Sequence, residues 1–229
     1  MNKIQLIIGG ARSGKSSLAE QYAKVSNLPV TYIATAQAFD VEMTQRISQH
    51  QADRPQHWAL IESPLLLAQA IESAMASSSN GQGICLLVDC LTLWLSNSLC
   101  KPSDALADNG TQSDTQSDID TDTQPENYAV NLDYWQQEKT QLLALLTRIS
   151  QQACHDNNNN EVGRIEIILV SNEVGHGIVP MGELSRQFVD QAGWLHQAIA
   201  SIADNVEFVM AGLPLTLKSA EKTNNKVQL

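Results

Sequence analysis

The feature that most constrains this chain is its beginning, MNKIQLIIGGARSGKSS, where a run of β-formers breaks into glycine, then lysine, then a helical pattern. The spacing Gly9-x-x-x-x-Gly14-Lys15-Ser16 meets the GxxxxGK[ST] pattern between a strand over about 4–9 and a helix from Lys15 to about Val25. Glycines permit positive φ and close approach, so that consecutive N–H groups can face phosphate oxygens. The helix N-terminus adds its partial positive charge. Residues Gly9, Gly10, Ala11, Arg12, Ser13, Gly14, Lys15 and Ser16 are therefore candidate nucleotide ligands. Lys15 is expected at the β/γ-phosphates and the Ser16 hydroxyl on Mg²⁺.

The rest of the chain keeps the alternation that such a loop requires. VTYIAT (30–35) reads as a second strand, 38–52 as a helix ended by Arg54-Pro55, and His57–Glu62 as a short strand. A helix over 64–78 leads to ICLLVD (84–89), a continuous apolar run typical of a buried parallel strand. Helices over 91–99 and 128–155, a strand over 165–174, a helix over 182–203 and a last strand over 206–212 complete the pattern, with a frayed tail beyond. This predicts an α/β, P-loop NTPase-like fold in one domain over 1–229, mainly parallel, with helices on both faces.

Between these elements, residues 101–127 hold seven acids, one lysine and the tetrapeptide TQSD twice, with almost no large apolar residue. Such a composition cannot offset its ordering entropy, and a disordered acidic insert is expected. The chain's net charge of −11 and pI near 4.7 argue against a sequence-independent nucleic-acid surface. No run approaches the ~18 apolar residues of a membrane span. The four cysteines show no CxxC or zinc spacing, which fits reduced thiols and a cytoplasmic protein.

Asp89 ends a hydrophobic strand, the edge at which open α/β sheets bind ligands. Its carboxylate suits Mg²⁺, a sugar hydroxyl, or the cap of the next helix. In FDVEMTQRISQHQADRP, Glu42, Arg46 and His50 recur every four residues and form a polar stripe. His50 also borders the apolar face, so both a half-buried structural histidine and a nucleophile flanked by Arg46 and Arg54 fit the spacing. His57, His155 and His196 carry less signal, and His196 reads as a packed residue. In ILVSNEVGHGIVP, residues Ser171, Asn172 and Glu173 again fall at a strand end, followed by a glycine-containing loop.

Taken in order, GGARSGKS, YIATAQAFDVEM, RISQHQADRP with HW and Glu62, LLVDCLTLWLSN, SNEVGHGIVP and RQFVDQAGWLHQAIASIADNVEFVMAGLPLTLK resemble the bifunctional adenosylcobinamide kinase / adenosylcobinamide-phosphate guanylyltransferase family. The likeness covers 3–100 and 128–218. It implies phosphorylation of adenosylcobinamide on its aminopropanol hydroxyl by ATP or GTP. A second reaction moves GMP from GTP, through a guanylylated histidine, onto adenosylcobinamide phosphate to give adenosylcobinamide-GDP. By motif position the resemblance makes His50 that histidine. It places nucleotide contacts on Gly9–Ser16, on Thr35, Ala36 and Gln37, on Gln51, Ala52, Asp53 and Arg54, and on Glu62 and Asp89. It further implies a homo-oligomer, a ring-like trimer. The acidic insert departs from the family, and His176 is assigned no role. A monofunctional small-molecule kinase with a structural His50, or a nucleotide-binding switch, is the rival reading; labelling by α-labelled GTP separates them.

Overall fold

The computed structural model describes residues 2–37, 41, 44–45, 54–78, 83–102, 130–152 and 163–220. The expected helix over 38–52, the loop over 154–163 and most of the acidic insert lie largely outside the described residues, as do His50, Gln51, Ala52 and Asp53.

Seven strands form one sheet in the order β3-β2-β4-β5-β1-β6-β7. They are β1 (Lys3–Gly9), β2 (Val30–Ala34), β3 (Ala59–Glu62), β4 (Ile84–Asp89), β5 (Ile165–Asn172), β6 (Asn205–Met210) and β7 (Leu213–Lys218). The first six run parallel; β7 returns antiparallel to β6. The three central strands are buried almost throughout, as strands of a covered parallel sheet must be, and Gln5 of β1 and Glu166 of β5 are buried among their apolar neighbours.

Alternation along these strands divides the core in two. Ile4, Leu6, Ile8, Leu86 and Val88 face one side. Ile7, Cys85, Leu87, Ile168 and Val170 face the other. The first side packs α2 (Leu67–Ser77), α3 (Leu91–Leu99), α4 (Leu132–Gln151) and α5 (Glu183–Ile202). The second is covered by α1 (Lys15–Val25) through Ala19 and Ala23, with Trp58 closing its edge. Among the described residues, helices thus lie on both faces, unequally.

The tail expected to fray after β6 instead forms β7 as far as Lys218. Ala211 and Gly212 both take positive φ (53° and 80°), which suits a two-residue hairpin whose twist matches its strands. Pro214 is tolerated because β7 is an edge strand. The third strand is also shorter than read. The Trp58 N–H bonds Pro55 O at 3.1 Å, so His57 and Trp58 belong to a turn.

Candidate active site

Parallel register brings the C-terminal ends of the strands together. Gly9 pairs with Asn172 and Val209, Ala34 with Glu62 and Asp89, and Asp89 with Val170. The loop Gly10–Gly14 rises from this edge. Gly9 has no room for a side chain: a Cβ there would stand 2.5 Å from Val209 O and 2.6 Å from Ser13 Oγ. Gly14 adopts φ 95° at the N-terminus of α1. The hairpin turn braces the loop, because Gly212 N–H donates to Ser13 O at 2.8 Å.

Lys15 is buried at 8% exposure and its Nζ donates to Gly10 O at 3.2 Å, so the ammonium is folded over its own loop. Ser13 Oγ is buried with no hydrogen-bond partner among the described residues. A hydroxyl without a partner and an ammonium held by a loop carbonyl, among the described residues, suit a site built for an anionic, hydrogen-bonding ligand. Ser16 lies partly buried in the first turn of α1, where the free N–H groups of a helix gather.

Asp89 does not cap α3, whose N-cap is Cys90 with no side-chain cap bond. Its Oδ2 accepts the Tyr32 hydroxyl at 3.2 Å instead. Burial, then the Asp89 charge, pushes the Tyr32 phenol far above its ordinary range, so it remains a donor. The Arg54 guanidinium lies 4.9 Å from the Tyr32 ring centroid, linking Arg54, Tyr32 and Asp89 in one row. Thr35 is fully buried; its hydroxyl donates to Cys90 O (2.7 Å) and accepts from Cys90 N–H (2.8 Å), while Asn97 holds its carbonyl. The Thr35 hydroxyl is thus spent inside the protein, holding β2 against the Asp89-Cys90 turn. Ala36 and Gln37 are partly exposed beyond it. Glu62 is exposed on the far edge strand, four strands from β1.

On the other flank, Asn172 Nδ2 donates to Thr92 Oγ1 at 2.8 Å, and Glu173 N–H to Gly9 O at 3.0 Å. His196 is buried as expected of a packed residue, yet its Nε2 lies 2.7 Å from Ser171 Oγ. Tyr32, Thr92 and Asn97 carried no local signal in the sequence, because their partners are distant along the chain.

Fold and site together define a P-loop NTPase. A prototypical ATPase of a bacterial type III secretion system has the same fold, with TM-score 0.52 and 14% identity; the alignment covers 93% of this chain and 56% of that one. The profile of cobinamide kinase / cobinamide phosphate guanyltransferase matches residues 5–217, and the chain belongs to that family. It is 46% identical to the bifunctional adenosylcobalamin biosynthesis protein CobP of Pseudomonas aeruginosa, covering 93% of this chain and 96% of that protein. The corresponding CobU of Escherichia coli is 33% identical, with 93% and 98% covered. The resemblance carried by the motifs is therefore borne out.

Proposed function

We propose that this single-domain protein phosphorylates adenosylcobinamide on its aminopropanol hydroxyl and then transfers GMP from GTP, through His50, to give adenosylcobinamide-GDP. The observation that carries the reading is a braced phosphate loop with a buried, ligand-ready Lys15, in a chain of this family.

In the first reaction the loop N–H groups receive the phosphates of ATP or GTP, and Lys15 exchanges Gly10 O for the β/γ-phosphates. Ser16 would hold Mg²⁺ bound with the nucleotide; the metal supplies charge neutralisation at the phosphates. Of the proposed contacts, Gly9–Ser16, Ala36, Gln37 and Asp89 lie at or just beyond the C-terminal ends of their strands, whereas Arg54 precedes β3 and approaches that edge only through the Tyr32 ring, whose hydroxyl meets Asp89. Glu62 stands about 19 Å from β1 by strand spacing, and suits a part of the ligand remote from the phosphates.

In the second reaction an imidazole nitrogen of His50 attacks the α-phosphorus of GTP. A P–N bond forms as the bond to pyrophosphate breaks; the corrinoid phosphate then attacks phosphorus and the imidazole departs. The segment carrying His50 is tied to the site at both ends, since Thr35 N–H donates to Asp89 O and Arg54 lies on Tyr32. His50 is four residues from Arg54, a chain reach of at most ~14 Å. Gln51, Ala52 and Asp53 lie between them and complete the proposed nucleotide contacts.

Incubation with α-labelled GTP and Mg²⁺ tests the reading. The expected label is alkali-stable and acid-labile, as a phosphoramidate is, maps within 47–54 and is absent from His50→Ala. Acid-stable label, or label at His57 or His176, would overturn it. A cytoplasmic homo-oligomer, a trimer, completes the proposal. The row Leu213, Leu215 and Leu217, 59–72% exposed on the edge strand, supports association, and the mass in solution checks it.

A further inference from the structure

Among the described residues three carboxylates stand at the C-terminal edge of the sheet, at graded distances from the phosphate loop. Glu62 ends β3, four strands from β1; Asp89 ends β4, two strands away, and already accepts the Tyr32 hydroxyl. Glu173 follows β5, the immediate neighbour of β1, about 5 Å across. Its N–H donates to Gly9 O at 3.0 Å, so its backbone is fixed to the residue at which the phosphate loop begins.

The Glu173 side chain is held as well. One oxygen accepts from Gly175 N–H at 2.5 Å. The other faces His196 Nδ1 at 3.8 Å, and the side chain keeps 20% exposure. His196 reaches through its other nitrogen to Ser171 Oγ at 2.7 Å. One arrangement of protons serves all three: Nδ1–H toward Glu173, and the Ser171 hydroxyl donating to Nε2. Burial lowers the His196 pKa, so its ring is neutral near pH 7; at 3.8 Å, longer than a hydrogen bond, its Nδ1–H dipole faces the carboxylate without setting a positive charge against it.

A serine, histidine and glutamate in a row would ordinarily suggest an activated serine. Ser171 is wholly buried, out of reach of any substrate phosphorus. The row therefore acts in the other direction, from Ser171 through His196 to Glu173, whose carboxylate alone reaches solvent beside the loop.

We propose that Glu173 is the general base of the phosphoryl-transfer step and His196 its positioning residue. The inference rests on the kinase half of the proposed function. As the acceptor oxygen attacks the γ-phosphorus, its O–H bond breaks and the proton passes to a Glu173 oxygen. The new O–P bond forms while the bond from the γ-phosphorus to the β–γ bridging oxygen breaks. That electron pair leaves on the nucleoside diphosphate, and the partly exposed Glu173 later returns its proton to water. The guanylyl step has no hydroxyl to deprotonate: a phosphate monoester, with a second pKa of about 6, is already ionised near neutrality. Glu173 is therefore needed for one reaction and not the other.

The test uses adenosylcobinamide with γ-labelled nucleotide, and α-labelled GTP in parallel, on the full-length protein. Glu173→Gln keeps the backbone bond to Gly9 and an oxygen for Gly175 N–H. It should lower phosphoryl transfer about 10²–10⁴-fold, while acid-labile guanylyl label continues to form. His196→Gln should lower kcat with little change in nucleotide KM, and added to Glu173→Gln it should cost almost nothing more, a non-additivity that a purely structural histidine would not give. Phosphoryl transfer by Glu173→Gln within about fivefold of wild type, well short of a general base's contribution, would overturn the assignment. So would equal loss of both reactions rescued by raised Mg²⁺, which would make Glu173 a ligand of the metal's water. Should Glu173→Gln fail to fold, Glu173→Asp decides, since a receding carboxylate at wild-type rate is incompatible with the role. A wild-type enzyme that forms guanylyl label but never phosphorylates the corrinoid would instead remove the kinase reading and this inference with it.

Discussion

Lys15 and His196 show two uses of a buried nitrogen. Among the described residues Lys15 has a loop carbonyl as the hydrogen-bond partner of its ammonium, so its charge is available to a ligand. Lys15→Ala should therefore depress both reactions by at least about tenfold, since charge-assisted bonds to phosphate are worth ~1.5–3 kcal/mol; wild-type rates with GTP would mean that the loop is not the working site. His196 is the reverse, a ring whose charge the fold disfavours. Burial lowers its pKa from 6.5, against a smaller upward pull from Glu173, so the unfolded chain binds this proton first as pH falls. Stability attributable to His196 is thus present above about pH 6.5 and is lost as pH falls toward the lower folded value. The groups facing it are Glu173 and Ser171. Melting curves between pH 5 and 7.5 should show wild-type stability rising with pH, and His196→Gln should flatten that rise; an unchanged slope would place the titration elsewhere. Cysteines give a third check at this scale. Burial raises the Cys85 and Cys90 thiols to about 11, with the Asp89 charge adding at Cys90, whereas Cys100 is exposed. Alkylation of the folded protein at pH 7.5 should mark Cys100 and spare Cys85 and Cys90, as peptide mapping would report.

At the scale of elements, the helix–strand order was legible because the central strands are rich in apolar residues and bounded by turn residues, most plainly the unbroken run Ile84–Val88, while Gln5 and Glu166 interrupt β1 and β5. Strand β7 was not. Its turn uses Ala211 where asparagine or glycine is the usual signal, Pro214 interrupts it, and its leucines face outward. That hairpin matters, since Gly212 N–H braces Ser13 O and Val209 O crowds Gly9. Gly9→Ala must push its Cβ against a carbonyl that sits between β1 and β6, and a main-chain carbonyl cannot swing aside as a side chain would. The expected cost is about 1–3 kcal/mol, seen as a lower melting temperature together with weaker nucleotide binding. A variant with both unchanged would show that loop and hairpin are less tightly joined than their geometry indicates.

For the whole molecule, the sequence marked where ligand chemistry gathers, at strand ends such as Asp89 and Glu173, but not how those ends hold one another. Tyr32 meets Asp89 57 residues away and Ser171 meets His196 25 residues away, and no local period encodes such pairs. The same long-range view bears on the acidic insert, most of which lies outside the described residues. The two ends of that segment are fastened together: Asn131 N–H donates to Leu99 O at 2.9 Å and Asn131 Nδ2 to Lys101 O at 3.1 Å. Asn131 also caps α4 through Tyr134 N–H, and Lys101 Nζ lies 3.9 Å from the Tyr134 ring centroid. The chain therefore leaves α3 and enters α4 at one point, whatever runs between. Removing 104–125, with a short linker in its place, leaves every one of these contacts intact. Shortening a flexible closure from about 28 residues to about 7 saves roughly 1.2 kcal/mol of loop entropy. The shortened protein should melt at or slightly above the wild-type temperature, keep its mass in solution and retain both activities. A clear fall in melting temperature would mean that the segment buries apolar surface its composition does not advertise, and loss of phosphoryl or guanylyl transfer alone would place it over the active site.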